Sequence, residues 1–330
     1  MWMAACLSLI AGMEPEPPES AVLMVVVGEP GEEQYEKMFV EWAGRWRDAA
    51  EKGGVRSIAI GLPESKSSDR DDRDLLTETL ASLEEKTPET LWIVMIGHGT
   101  FDGKKAKFNL RGPDITATEL AAQLEPLSCR MAIVNCASAS APFVNRLSGP
   151  NRVVVSATKS GSQYNFARFG GYLSQMIGDV SADLDKDGQT SLLEAWLAAA
   201  KQTQEYYDSK SQLATEHSIL DDNGDGKGTP ADFFRGIHLV KTSQDDTLPD
   251  GTFANQFILV PGEDQFVLSD ELRRQRDQLE RQLAQLRQQK DKYSEIEYLH
   301  QLEKILVPLA EIYRKVEELA PSQPETDDPS

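Results

Sequence analysis

Short apolar runs alternate with longer amphipathic stretches through the first half of the chain. The runs span residues 21–27, 56–62, 91–96, 131–135 and 152–157. Each is rich in Val, Ile and Leu and too short for a buried helix, so each reads as a strand covered on both faces. Residues 33–51 carry an apolar stripe with Trp42 and Trp46, and residues 69–86 form a second, heavily charged helical stretch. Residues 105–110 suit a short strand in a Gly-bounded hairpin, and residues 116–127 a third helix. Strands alternating with helices predict an α/β fold: a mostly parallel sheet with helices on both faces and right-handed crossovers.

The pattern changes beyond residue 265. Residues 266–320 are almost free of glycine, and Leu272, Leu279, Leu286 and Tyr293 recur every seven residues, with Leu283 on a second seam position. That predicts a long amphipathic helix with partial coiled-coil character. Arg276 and Lys290 interrupt its seam, and Pro308 should kink or end it, with the apolar face resuming at Leu309, Ile312, Val316 and Leu319. Such a face packs on the core, self-associates weakly or meets a partner protein. The expected organisation is a leader and linker over 1–20, a main domain over 21–240, a connecting segment over 241–265 with a strand at 253–260, the long helix, and a disordered tail over 321–330.

Composition narrows the function. The 330 residues carry a formal charge of −20, and with no basic stripe to offset it, nucleic-acid binding is excluded. The cysteines Cys6, Cys129 and Cys136 make no disulfide framework, and Cys129, at the start of its strand, reads as structural. Residues 2–12 followed by the Pro-rich 15–20 have the order of a secretory leader without its basic start, so the chain is read as exported, otherwise cytoplasmic. No apolar run reaches the roughly 18 residues of a membrane span.

Two of the predicted strands end in reactive side chains. The run 91–96 is followed by Gly97-His98-Gly99, and the run 131–135 by Cys136. Open α/β sheets hold their chemistry at the carboxyl ends of the strands. A histidine or a cysteine alone is most often structural. The two together, at two strand ends and with glycines flanking the histidine, read as a thiol nucleophile and its base.

These blocks, residues 93–99 and 132–138, resemble the motifs of the caspase-like cysteine peptidases, and the strand 152–158 with its sequel Lys159-Ser160-Gly161-Ser162 is similar to the segment after the catalytic cysteine of legumain (asparaginyl endopeptidase). The resemblance covers residues 21–240 and places the chain nearest bacterial legumain-like proteins. It implies a caspase-like fold, protein or peptide substrates, Cys136 as nucleophile, His98 as base, and the backbone N–H groups of Gly99 and Cys136 as oxyanion donors. It also implies that Ser156, Ala157 and Thr158 line the substrate cleft and pair with its backbone. Val134 and Asn135 depart from legumain, which has an acidic residue and Ala there, so asparagine preference is not implied.

A second motif concerns metal. Residues 183–194 fit an EF-hand loop: Asp183, Asp185 and Asp187 at positions 1, 3 and 5, Gly188 at 6, the Gln189 carbonyl at 7, Ser191 at 9 and Glu194 at 12. That set of oxygens predicts bound Ca²⁺. Residues 221–232 repeat the pattern with Asp221, Asn223 and Asp225, the Lys227 carbonyl, and Asp232 at position 12. There the shorter Asp232 and the helix-stopping Pro230 make a metal-free Asx-rich turn the competing reading. Three functions remain on the sequence: a calcium-bound cysteine endopeptidase, a catalytically inactive calcium-binding scaffold of the same fold, and a transamidase or ligase using the same dyad.

Overall fold

A computed structural model describes residues 20–63, 70–240, 249–262 and 269–319. The leader and tail expectations lie outside these residues. In chain order the elements begin with β1 (Ala21–Val27), α1 (Glu33–Lys52), β2 (Arg56–Ile60), α2 (Asp72–Glu85) and β3 (Thr90–Ile96). Next comes a small antiparallel sheet, β4 (Gly99–Phe101), β5 (Ala106–Phe108) and β6 (Ile115–Thr116), then α3 (Ala117–Leu124), β7 (Arg130–Asn135), α4 (Ala141–Leu147), β8 (Arg152–Ser156), α5 (Phe169–Met176) and α6 (Leu192–Ser209). The short strands β9 (Ile219–Asp221), β10 (Thr229–Pro230), β11 (Phe234–Arg235) and β12 (His238–Leu239) precede α7 (Asp270–Gln288) and α8 (Glu295–Leu319).

The main sheet runs β10-β9-β8-β7-β3-β1-β2. The strands from β8 to β2 are parallel, while β9 and β10 are added antiparallel at one edge. The two-residue period of a strand divides its side chains between two cores. Leu23 and Val25 face a layer with Phe39, Trp46, Trp92, Phe169 and Trp196. Val22, Met24 and Val26 face another with Leu76, Leu80, Leu120, Leu124 and Phe143. Helices therefore cover both faces, as the apolar runs predict.

The second half departs from expectation at residues 253–260 and in the C-terminal helix. Within the connecting segment, Phe253, Ala254, Phe257 and Leu259 belong to the α1-side core. The segment holds a short 3₁₀ turn, Ala254–Gln256, and one isolated bridge, Ser191 to Ile258, rather than a strand. The long helix is two helices, α7 and α8, packed on one another. The break falls at Lys290–Lys292, not at Pro308, which lies inside α8. Ser294 opens α8 by accepting from Glu297 N–H while the Glu297 carboxylate accepts from Ser294 N–H, and this reciprocal cap makes a new helix start there. Arg276, which interrupts the heptad seam, is buried beside Asp277, and Asp277 pairs with Arg130 at the start of β7. Polar contacts thus dock α7 on the main body.

Candidate active site and acidic loops

The parallel register of β3 and β7, running from Thr90↔Arg130 to Met95↔Asn135, carries both reactive side chains to one end of the sheet. Cys136 comes directly after β7, its N–H donating to Met95 O at 2.9 Å. His98 stands two residues beyond β3. Its ring is held edge-on by Tyr35 and Phe39, centroids 5.0 and 5.4 Å away, with Phe166 at 6.0 Å. Its Nε2 lies 3.2 Å from Pro30 O. A carbonyl only accepts, so Nε2 carries the proton and Nδ1 keeps the basic lone pair. Pro30 had no mark in the sequence, because a backbone carbonyl can belong to any residue.

Cys136 packs in the same α1-side core that holds Phe39 and Trp42, and is 1% exposed. Gly170 of α5 covers it: a Cβ there would meet the Cys136 Sγ at 2.9 Å, so only glycine permits the approach. Burial pushes the thiol up to about 12, and the negative charge of Glu216 adds to the effect. No hydrogen bond joins Sγ to the imidazole among the described residues.

Glu216 is a residue the sequence did not single out. Its buried carboxylate accepts from Arg168 N–H at 2.9 and 2.8 Å, from Phe169 N–H at 3.0 Å and from Tyr207 O–H at 3.0 Å. It anchors the start of α5, and hence Gly170, behind Cys136. Glu216 also lines a groove of about 990 Å³ between α6 and the 216–236 segment, with Lys159, Lys201, His217, Asp232 and Phe233. The Gln163 side chain bonds His217 Nδ1 at 2.6 Å, and the Gln163 carbonyl accepts from Ala139 N–H. The groove wall is thereby tied to the loop after Cys136.

Two expectations about the cleft are corrected. Gly99 N–H is not open to a substrate oxygen, since it donates to Ser138 Oγ at 3.3 Å, and Cys136 N–H is held by β3. Ser156, Ala157 and Thr158 do not form an edge wall. All three are fully buried, β8 is covered by β9 with Ser156 opposite Ile219, and the Ser156 and Thr158 hydroxyls bond to Ser140. The small hydroxyl side chains at this strand end serve an internal polar network.

The first acidic loop gathers its carboxylates. Asp183, Asp185 and Asp187 each offer an oxygen within 4.8 Å of the others. Desolvation, then Asp187, raises Asp185; desolvation, then the charges of Glu194 and Asp183, raises Asp187. Burial is the main cause of both shifts, with the neighbouring carboxylates adding to it; the gathered oxygens fit a hard cation that takes oxygen ligands. Lys186 and Gly188 take the left-handed conformation, φ 65° and 86°, as the turn demands. Gln189 is buried with its N–H on Asp187. Ser191 and Glu194 form the capping box of α6, so the position-12 carboxylate sits at the third residue of the helix and points back to the loop.

The second loop has Asp221 buried at the end of β9, with Asn223 and Asp225 bonding the N–H groups of Asp225 and Lys227. Asp232 is exposed and lines the groove near His217; burial, then the charge of Lys159, pushes the His217 imidazole down, and Asp232 opposes them. Burial, and in part the neighbouring carboxylates, push the close pair Asp222 and Asp250 upward.

No family model matches the chain, and no curated protein does. Among solved structures, the Drosophila initiator caspase Dronc is similar at a TM-score of 0.39 and 15% identity, covering 63% of this chain and 81% of its own. Caspase-1 from Spodoptera frugiperda is similar at a TM-score of 0.39 and 7% identity, covering 62% of this chain and 87% of its own. No helix among the described residues is long and apolar enough to cross a membrane.

Proposed function

We propose that this chain is a cysteine endopeptidase of the caspase-like, legumain-like type, with Cys136 as nucleophile and His98 as general base. The observation that supports it best is the His98 ring at the carboxyl end of β3, beside the β7 end that carries Cys136, with its Nε2–H on Pro30 O. A nucleophile, a base and a third group that orients the base make up the unit of covalent acyl transfer. His98 Nδ1 takes the Sγ proton as sulfur attacks the peptide carbonyl. The same proton passes to the departing amine, leaving a thioester on Cys136. Water, deprotonated by His98, then attacks the thioester carbonyl and releases the acid and the free thiol. The substrate would be met at the carboxyl ends of β3 and β7, where the two residues of the dyad stand.

A peptidyl acyloxymethyl ketone read by peptide mass mapping tests the assignment. It should label Cys136 and spare Cys129, and His98→Ala should suppress the label. Simple iodoacetamide should label the native thiol slowly at pH 7, because burial keeps it protonated. Absence of the ketone adduct at Cys136 would sink the dyad.

In the same reading, the first loop holds Ca²⁺ through Asp183, Asp185, Asp187, the Gln189 carbonyl, Ser191 and Glu194. The ion would neutralise clustered charge and fix the entry to α6. Calcium at a hundredfold over its Kd should add about 2.7 kcal/mol to the unfolding free energy. Calorimetric scans with calcium and with chelator give the check: Asp183→Ala or Glu194→Gln should remove the first-loop share of the shift, and an unchanged shift in both refutes the site.

A further inference from the structure

The two acidic loops share a backbone. Positions 4 and 6 are left-handed in both: Lys186 and Gly188 at φ 65° and 86°, Gly224 and Gly226 at φ 80° and 73°. In both, the N–H of position 4 donates to the carboxylate of position 1, that of position 5 to the side-chain oxygen of position 3, and that of position 7 to position 5. They differ from position 10 onward. In the first loop α6 starts at position 10 and returns Glu194 to the loop. In the second, Pro230 stands at position 10 and the chain makes only the single 3₁₀ turn Ala231–Phe233, so Asp232 is carried off to the groove.

The carboxylate that takes the place of Glu194 comes from elsewhere. Glu194 Oε1 accepts from the N–H groups of positions 2 and 3, Leu184 at 2.6 Å and Asp185 at 3.2 Å, and its Oε2 accepts from the position-9 hydroxyl of Ser191 at 2.9 Å. Asp250 Oδ1 accepts from the N–H groups of positions 2 and 3, Asp222 at 2.9 Å and Asn223 at 3.2 Å, and its Oδ2 accepts from the position-9 hydroxyl of Thr229 at 2.5 Å. The match holds oxygen by oxygen. A second observation points to a ligand: Asp221, at position 1, is 0% exposed, and its Oδ2 has no hydrogen-bond partner while its Oδ1 takes Gly224 N–H and Ser148 O–H. A buried carboxylate oxygen without a donor is costly unless a cation completes it.

The geometry points to a second divalent-cation site, formed by Asp221, Asn223, Asp225 and the Lys227 carbonyl and closed by Asp250 from outside the loop in place of Asp232. Five residues on, Asn255 Oδ1 lies 2.9 Å from Ser191 Oγ of the first loop, so the segment 249–257 joins the two sites. The proposal rests on the calcium reading above for the identity of the ion, and its test separates the two loops.

The experiment is a calorimetric titration of the full chain with calcium chloride after removal of metal by chelator. Wild type should bind two ions. Glu194→Gln and Asp250→Asn should each weaken one site at least tenfold and leave the other, and the double variant should bind none. Asp232→Asn should still bind two. If Asp250→Asn fails to fold, Asp225→Asn, on the rim of the same loop, should remove the second site in folded protein. A wild type binding one ion that only Glu194→Gln removes overturns the second site. Loss of an ion in Asp232→Asn overturns the closure by Asp250. One ion lost in Asp250→Asn but kept in Glu194→Gln removes the first-loop reading and leaves this one standing.

Discussion

Cys136→Ala is expected to bring peptide hydrolysis down to the uncatalysed background while the protein stays folded. His98→Ala should cost nearly as much, a loss of at least about a thousandfold in kcat, because members of one catalytic unit do not contribute additively. The large cost of losing the histidine comes from where the thiol sits. Burial pushes its pKa up to about 12, so the thiol is held protonated at pH 7 and its proton must pass to a base during attack. Pro30 O fixes Nε2 as the protonated nitrogen and leaves Nδ1 for that task. The alanine side chain fills most of the cysteine volume in a packed core, so the melting temperature of Cys136→Ala should move by only a few degrees. The measurement is turnover of a fluorogenic peptide library beside thermal unfolding. Hydrolysis that persists in folded Cys136→Ala assigns the nucleophile elsewhere.

Much of the site's placement was legible because strand periodicity and strand ends are written locally. The apolar runs give the parallel strands, and His98 and Cys136 announce themselves as the first reactive residues after two of them. The corrections concern groups whose position depends on residues distant in the chain. Nothing local to residues 156–158 says that β9, some sixty residues later, will cover β8 and bury them. Nothing local to Gly99 says that Ser138 will take its N–H. The break between α7 and α8 is present in the sequence as Ser294-Glu295-Ile296-Glu297, a helix-start signature masked by the heptad run and by Pro308. The second loop is the converse case: its motif was visible, but the carboxylate facing its N–H groups lies at Asp250, beyond any loop-spacing rule.

Glu216→Ala is expected to cost about 3 kcal/mol or more of stability, since each buried donor left without its acceptor costs about 1–3 kcal/mol. The substitution strips the buried backbone N–H groups of Arg168 and Phe169 and the Tyr207 hydroxyl of their shared acceptor. The start of α5 then has no partner for its first donors, and Gly170 loses its fixed seat against Cys136, so activity should fall together with stability. Glu216→Gln should cost less, since one carbonyl oxygen still accepts, though its amide then sets N–H donors against N–H donors. The pH dependence supplies the control. Burial raises the Glu216 carboxyl above its ordinary value, so the fold favours the protonated form. That contribution is complete below the unfolded value of about 4.3 and is lost as pH rises through the folded value. Wild-type stability should therefore carry a downward slope above a pH of about 4.3 from this group, and both variants should lack it. Urea unfolding of the three proteins between pH 4 and pH 8 reads both effects. A Glu216→Ala stability within about 1 kcal/mol of wild type at every pH would mean that α5 is seated by its apolar face alone, and that Glu216 does not hold the wall behind the cysteine.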